Sequence, residues 1–403
     1  MNSRERILSA IDLKDVDRIP LYCWCFGFSP EKSLLWEREG NEVKFWYTMR
    51  LEHLHKLPYE WTIYDELERV KRWLSMGIDD VIDVSIPWSI SSEVIINDYN
   101  EENLMVREYK TPEGVLVQKV KKTEEEIPDG WPVQTQTCVL IDDLNLPRSE
   151  KFPVFEAGDL EKVKYLLQPP TKQQLEEYRE KIKLIKDFKS KIPVCVQAHT
   201  LFGMDGVIYL MGIENAVLKA MTDEEFFKEV VDLIFNFDLM RTEIAIEEGE
   251  VDIIVQRGWY SSTDFWSPSL FRKFVLPNLK KSVDLVHQEG KKFAYVMTTG
   301  IMNFIDDFIE AGIDLLYYFD PVLDKININE LKEKVKNKFC IAGGINSTLT
   351  LKNGDEKEIE KQIRDVIEIY GKKGVILSPV DSLFPDTPYK NVKKMIEIYK
   401  KYC

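Results

Sequence analysis

The feature that most constrains this chain is an alternation that begins at Pro193. The short apolar runs IPVCVQA, VDIIVQ, KKFAYVM, IDLLYYF, FCIAGGI and GVILSP are each followed by a stretch with helical spacing. The first of these stretches runs through DEEFFKEVVDLIFNFDLMRTEIAIEEG, and the second from Pro268 to Glu289. Four more begin at Ile301, around Glu330, at Glu356 and at Pro388. The apolar runs are continuous and rich in β-branched and aromatic residues, as in strands buried on both faces of a parallel sheet. Their exits carry glycine or polar residues, as in AGG and SPVDS, and no dinucleotide fingerprint follows any of them. The pattern predicts an α/β protein, a (β/α)8 TIM barrel rather than a doubly wound sheet.

Before Pro193 the signal is looser. SRERILSAIDL reads as an N-terminal helical extension, RIPLYCWCF as a first barrel strand and DDVIDVSIP as a second. The stretch SSEVIINDYNEENLMVREYKTPEGVLVQKVKKT alternates in polarity around a TPEG turn, which predicts antiparallel β-hairpins. We place this insertion at residues 93–140, within a single domain spanning 1–403.

Composition narrows the partners. The formal charge of -15 opposes nucleic acid or an anionic membrane as the main partner. The N-terminus lacks the apolar core of a signal peptide, and no segment reaches the roughly 20 apolar residues of a membrane span. The six cysteines are scattered, which argues against a disulfide framework. The expectation is a cytoplasmic protein acting on a small molecule.

Several stretches in order resemble the uroporphyrinogen decarboxylase superfamily over most of the chain. They are RERILSAIDLKDVDRIP, GIENAVLKAMTDEEFFKEVVDLI, SPSLFRKFVLPNLKKSVDLVHQEGKK, AGIDLLYY, GGIN and DTPYKNVKKMIE. The resemblance implies a (β/α)8 barrel with its site at the C-terminal mouth. It also implies one of two chemistries. One is cofactor-free decarboxylation of uroporphyrinogen; the other is methyl transfer involving corrinoid proteins, usually with zinc. Chain length and the hairpin insertion are closer to the methyltransferase branch.

The motifs of both branches are altered here. In the zinc methyltransferases one strand ends in His-x-Cys and a late loop adds a second Cys. The matching places are Tyr295-Val296-Met297 and Val380, just before Asp381, so the ligands are missing. In the decarboxylase branch an arginine-rich loop holds the substrate carboxylates. Here that loop is YCWCFGFSPEK, with Cys25 and Phe28 in place of arginines, so uroporphyrinogen is not the expected substrate. The essential carboxylate after the second strand is represented by Asp80 or Asp83. The family's paired acids before SP are replaced by Gln256 and Arg257.

Within this frame Tyr295 is the candidate proton donor; the alternative is a buried phenol that caps a loop. Met297 shares its strand face, and Thr298 follows at the exit. Arg257 is the one cation at a predicted strand end. It suits a substrate carboxylate or phenolate, or a salt bridge to Asp252, Asp264 or a neighbouring loop. Asp381 and Asp320 directly follow strands, where each either meets substrate or caps a helix. Gly343 and Gly344 would let backbone approach a ligand. Trp24, Trp259, Tyr260, Phe265 and Trp266 form either an aromatic-lined pocket or barrel-top packing. His199 shares a strand face with Cys195 and Gln197, and Cys23 with Cys25. Cys23, Cys25 and His199 are the alternative soft-metal set, against a reading as core residues, and zinc stays open. His53 and His55 sit at i, i+2 on a predicted helix, and His287 on a solvated helix face.

The leading expectation is an enzyme that moves a methyl group from a small methylated compound, aromatic or not, to the cobalt of a separate corrinoid protein. Tyr295 would donate the proton, and Arg257 or Asp381 would orient the substrate. Cobalamin would sit on the partner, with no cofactor held tightly here. The alternatives are cofactor-free decarboxylation of a small acid and a non-catalytic binding barrel. The decarboxylase branch implies a homodimer.

Overall fold

A computed structural model describes residues 1–24, 36–38, 41–43, 62–122, 140–141, 143–383 and 387–403. Cys25, Phe28, His53 and His55 lie outside the described residues.

Helix α1 (Ser3–Ile11) opens the chain under an Asn2–Glu5 capping box. Strands β1 (Trp36–Arg38) and β2 (Asn41–Val43) form a short antiparallel pair. Helix α2 (Ile63–Ser75) leads to β3 (Val81–Val84). Strands β4 (Ile95–Glu101), β5 (Leu104–Thr111), β6 (Gly114–Lys121) and β7 (Ser149–Lys151) form a separate antiparallel sheet in that order. The expected hairpins are β4–β6, and β7 extends their sheet from beyond the expected boundary. Helices α3 (Gly158–Lys164) and α4 (Lys172–Lys191) return the chain to β8 (Cys195–Leu201).

The βα alternation then runs as read. Helices α5 (Gly203–Met211), α6 (Ile213–Thr222) and α7 (Glu224–Glu248) lead to β9 (Ile253–Gln256). Helices α8 (Pro268–Phe274) and α9 (Leu276–Gln288) lead to β10 (Lys292–Val296), and α10 (Ile305–Ala311) to β11 (Leu315–Phe319). Helix α11 (Ile328–Val335) leads to β12 (Cys340–Ile345), α12 (Glu356–Tyr370) to β13 (Val375–Pro379), and α13 (Tyr389–Tyr402) follows.

The parallel sheet has seven strands in the order β13-β12-β11-β10-β9-β8-β3. All are buried throughout except Lys292 at the start of β10, as a sheet covered on both faces requires. The sheet curls until the extended segment Pro20–Trp24 bonds to both its ends. Tyr22 N donates to Leu377 O at 3.0 Å and Leu377 N to Pro20 O at 2.9 Å. On the other side Asp79 N donates to Leu21 O at 2.7 Å. The expected eight-stranded barrel is thus present as seven regular strands with this segment lying between their edges.

The N-terminal ends of the strands are locked by ion pairs. Asp252 is held by Arg4 at 2.7 Å and Lys189 at 3.2 Å, and Asp79 by Arg6 at 2.5 Å. Such pairs belong to stability; the C-terminal ends, where loops converge, are where a barrel carries its chemistry.

Candidate active site

Alternation along the strands decides which groups face the interior. Tyr22 and Trp24 point inward, because the Tyr22 hydroxyl lies 3.1 Å from Gln197 Nε2 and the Trp24 ring stacks on His199. Cys23, between them, takes the opposite face, and burial pushes its thiol well above the usual range. The strand that brings His199 inward also carries Gln197 on the same face, as its spacing predicts. Cys195 lies two residues further down, and its Sγ contacts Arg4 O at the opposite end, 3.8 Å away. Cys23 and His199 are therefore not arranged as ligands of one ion. Among the described residues no three His, Cys, Asp or Glu side chains cluster as a metal site.

The two carboxylates that the sequence left as alternatives separate cleanly. Asp80 faces outward under α2, where Arg69 Nη1 reaches it at 2.5 Å. Asp83, an odd number of residues along the strand, faces inward and accepts from Gln197 Nε2 at 2.7 Å. Burial pushes the Asp83 carboxyl up to about 7, against opposing effects from Arg69 and the Gln197 hydrogen bond. His199 Nε2 lies 3.4 Å from Asp83 Oδ1 and 3.3 Å from Gln197 Nε2. Burial, reinforced by the Arg257 and Arg241 guanidinium groups, holds the His199 pKa well below its ordinary value. The ring is neutral where Asp83 titrates. Tyr317 closes the floor, its hydroxyl 3.4 Å from Gln197 Oε1 and its ring 6.0 Å from that of Tyr22.

Two buried polar atoms of this cluster, Asp83 Oδ2 and His199 Nδ1, have no hydrogen-bond partner among the described residues. Each costs roughly 1–3 kcal/mol in that state. Such atoms persist where a substrate group completes them.

An aromatic stack stands on the cluster. Trp24 lies between His199 (5.8 Å, 15° between planes) and Trp259 (5.6 Å, 20°). Trp259 Nε1 donates to Asp381 Oδ1 at 2.8 Å. Asp381 holds φ 68°, a left-handed conformation that Asp tolerates better than most side chains. Arg257 is buried, its guanidinium 5.9 Å from the Trp259 ring and 5.2 Å from Phe202. Asp252 lies at the other end of the barrel, and Asp264 accepts from Thr299 at 2.6 Å. The structure therefore brings together Trp24, His199, Trp259, Asp381 and Arg257.

Other expected site residues lie elsewhere. Tyr295 faces the helical layer: its ring meets Phe308 of α10 at 5.2 Å, and its hydroxyl shares a 2.6 Å hydrogen bond with Ser261 Oγ. Burial raises its pKa above the ordinary phenol value. A Cβ on Gly258 would fall 2.5 Å from its hydroxyl, so that glycine makes room for it. Tyr295 is the loop-capping phenol, not the interior proton donor. Met297 is fully buried and its N–H donates to Tyr317 O. Thr298 is partly exposed beside it at the strand exit. Tyr260 packs against Tyr209 and Phe265 at 6.0 and 5.6 Å, and its N–H donates to Asp205. Trp266 is buried against Phe227. Gly343 and Gly344 serve packing: a Cβ on the first would lie 2.4 Å from Phe319 O, and on the second 2.5 Å from Val366. Asp320 accepts from Asn346 at 2.7 Å and caps its own turn at Val322 N. His287 pairs with Asp314 at 2.7 Å on the outer surface.

The interior groups Tyr22, Gln197 and Tyr317 were not singled out as site residues by motif. Period-two alternation from Trp24 and His199 is the signal that reaches the first two.

The family model described as Uroporphyrinogen decarboxylase (URO-D) matches residues 139–402. The chain belongs to this family. Among solved structures, a methyltransferase from Methanosarcina mazei superposes with a TM-score of 0.60 at 15% identity, covering 100% of this chain and 99% of that one. A B12-independent methionine synthase from Shewanella sp. W3-18-1 gives 0.44 at 9% identity, covering 95% of each chain. At 15% identity the likeness to the first concerns the fold. No curated protein matches the chain in sequence. In this URO-D family member the zinc positions of the methyltransferase branch hold Tyr295, Met297 and Val380, and the described residues do not fit that ion. Among those residues, no helix is long and apolar enough to cross a membrane.

Proposed function

We propose that the protein is a URO-D-like enzyme that transfers a methyl group from a small methylated, aromatic compound to a corrinoid carried by a partner protein. The observation that carries this reading is the pairing of an inward carboxyl pushed to about 7 with a neutral His199, beneath the Trp24–Trp259 stack. The corrinoid would supply the nucleophile. Breaking the methyl–oxygen or methyl–nitrogen bond leaves an electron pair on the departing atom, and a carboxylic acid near neutrality is matched to protonating it. Asp83 is that acid. His199 and Gln197 orient its carboxyl, Trp24 and Trp259 hold the substrate's planar part, and Arg257 orients an anionic substituent. The superposition along the full length of a methyltransferase supports the reading at the level of fold.

Cofactor-free decarboxylation of a small acid is the second reading. It is favoured by the buried Arg257, a cation suited to holding a substrate carboxylate that leaves as carbon dioxide, with Asp83 protonating the carbanion that remains. The deciding experiment offers O- and N-methyl donors and free cob(I)alamin or a corrinoid protein to the purified enzyme and follows the cobalt absorbance. Methyl transfer that is lost in Asp83→Asn supports the proposal. Absence of transfer, with carbon dioxide released from an aromatic acid, replaces it with the second reading.

A further inference from the structure

A cavity of about 770 Å³ opens between the loop after β3, the antiparallel sheet, the start of α4 and the start of α5. That volume suits a small organic molecule. None of Trp24, Asp83, His199, Trp259 and Asp381 lines it.

Its walls are aromatic and its deepest charge is a guanidinium. Trp88, Tyr109 and Phe202 line it together with Arg241 of α7, which is 2% exposed. Arg241 Nη1 donates to Thr200 O at 2.8 Å, while its buried Nε has no partner among the described residues. No carboxylate among the described residues forms an ion pair with it. Asp238, three residues earlier, accepts from Gly203 N at 2.7 Å, and burial pushes it up to about 7. It is thus only partly charged at neutral pH. A second guanidinium, Arg107, also lines the cavity, but Asp98 holds it through two 2.6 Å bonds. Lys181 adds positive charge at the exposed rim. The one acid on the described lining, Glu177, is exposed and accepts from Gln173.

A buried cation whose neighbouring acid, Asp238, is only partly charged is costly, and an anion that enters the cavity lowers that cost. The planar fork of arginine matches a carboxylate in two parallel hydrogen bonds, and aromatic walls favour a planar body. We propose that this cavity is a second ligand site, which takes a small aromatic carboxylate with its charge on Arg241 and its ring against Trp88 and Tyr109. The site adjoins the barrel mouth through Phe202, whose ring lies 4.6 Å from the Arg241 guanidinium and 5.2 Å from that of Arg257. The proposal stands independently of the reaction assigned to the mouth.

The test is calorimetric titration of the whole protein with benzoate and, separately, acetate. Benzoate is expected to bind saturably at a site that depends on Arg241, and more tightly than acetate. Arg241→Gln should weaken it about tenfold or more, the weight of a charge-assisted hydrogen bond. Because Arg241 also holds Thr200, a change at the exposed rim, Lys181→Glu, provides a second arm. It should weaken benzoate roughly two- to fivefold at low salt and less at high salt. Asp83→Asn should leave benzoate binding unchanged. Absence of saturable binding, equal binding of acetate, indifference to both cavity variants, or loss of binding in Asp83→Asn would each overturn the proposal.

Discussion

Asp83 Oδ1 and His199 Nε2 lie 3.4 Å apart inside the barrel without making a full ion pair. The imidazole is neutral through the range in which the carboxyl titrates, because burial and two nearby arginines oppose its protonation. The same burial keeps Asp83 protonated up to neutral pH. A carboxyl that titrates near neutral pH beside a neutral imidazole is suited to the proton transfer proposed above.

The first prediction concerns that acid. Asp83→Asn keeps the shape and the Gln197 contact but removes the proton. The catalysed rate should fall by roughly 10²–10⁴-fold, the range for general acid catalysis. In the wild type, kcat/KM should be constant at low pH and decline as pH rises through about 7, because only the protonated carboxyl donates. A pH profile that rises through neutrality would assign Asp83 the opposite role.

Stability should carry the same signature. Asp80, Asp83 and Asp238 are each buried and pushed up to about 7 from an ordinary 3.8. The folded state therefore binds more protons than the unfolded chain between these values. The stability these groups confer is complete below about 4 and is lost as pH rises through 7. Each shift corresponds to at most roughly 4 kcal/mol, and ion pairing of Asp80 with Arg69 reduces its share. Urea titrations between pH 5 and 8 should show falling stability, and Asp83→Asn should flatten the dependence. A wild type that gains stability across this interval would contradict the assignment.

The fold was legible because its signal is repeated. Buried parallel strands are continuous apolar runs, and the six after Pro193 all appear at the expected places. The inward acid was half legible. Asp80 and Asp83 are three apart, so alternation puts only one of them inside, but which one depends on where α2 packs. Tyr295 was misread because motif position fixes a residue's place along a strand and not its face. Its ring goes to Phe308, on the helical side. The Trp259–Asp381 bond joins residues 122 apart in sequence, and no local pattern announces such a contact.

Tyr295→Phe should therefore be mild. The substitution deletes the hydrogen bond to Ser261 and leaves the ring packing in place. The expected loss is about 1 kcal/mol of stability with activity retained within a few-fold. A loss of activity comparable to that of Asp83→Asn would return the phenol to the mechanism.

Gly343→Ala should be severe for a different reason. Gly343 holds φ 134°, and the added methyl would meet Phe319 O and N at 2.4 and 2.7 Å. Backbone atoms of a neighbouring strand have nowhere to go. A destabilisation of roughly 2–4 kcal/mol is expected from overpacking and the forced backbone angle together. Thermal denaturation should show it, and substrate affinity per folded molecule should not change.

Trp259→Phe isolates the aromatic stack. Phenylalanine keeps a ring near Trp24 but cannot donate to Asp381, whose φ of 68° is held partly by that bond. The loop after β13 should loosen while the Asp83–His199–Gln197 cluster stays intact. Substrate positioning should suffer more than chemistry, so KM should rise by about tenfold with kcat reduced much less. Asp381→Asn preserves an acceptor for Trp259 Nε1 and should retain most of the wild-type KM. If Asp381→Asn instead abolishes kcat, the carboxylate acts on substrate directly and the bond to Trp259 is secondary.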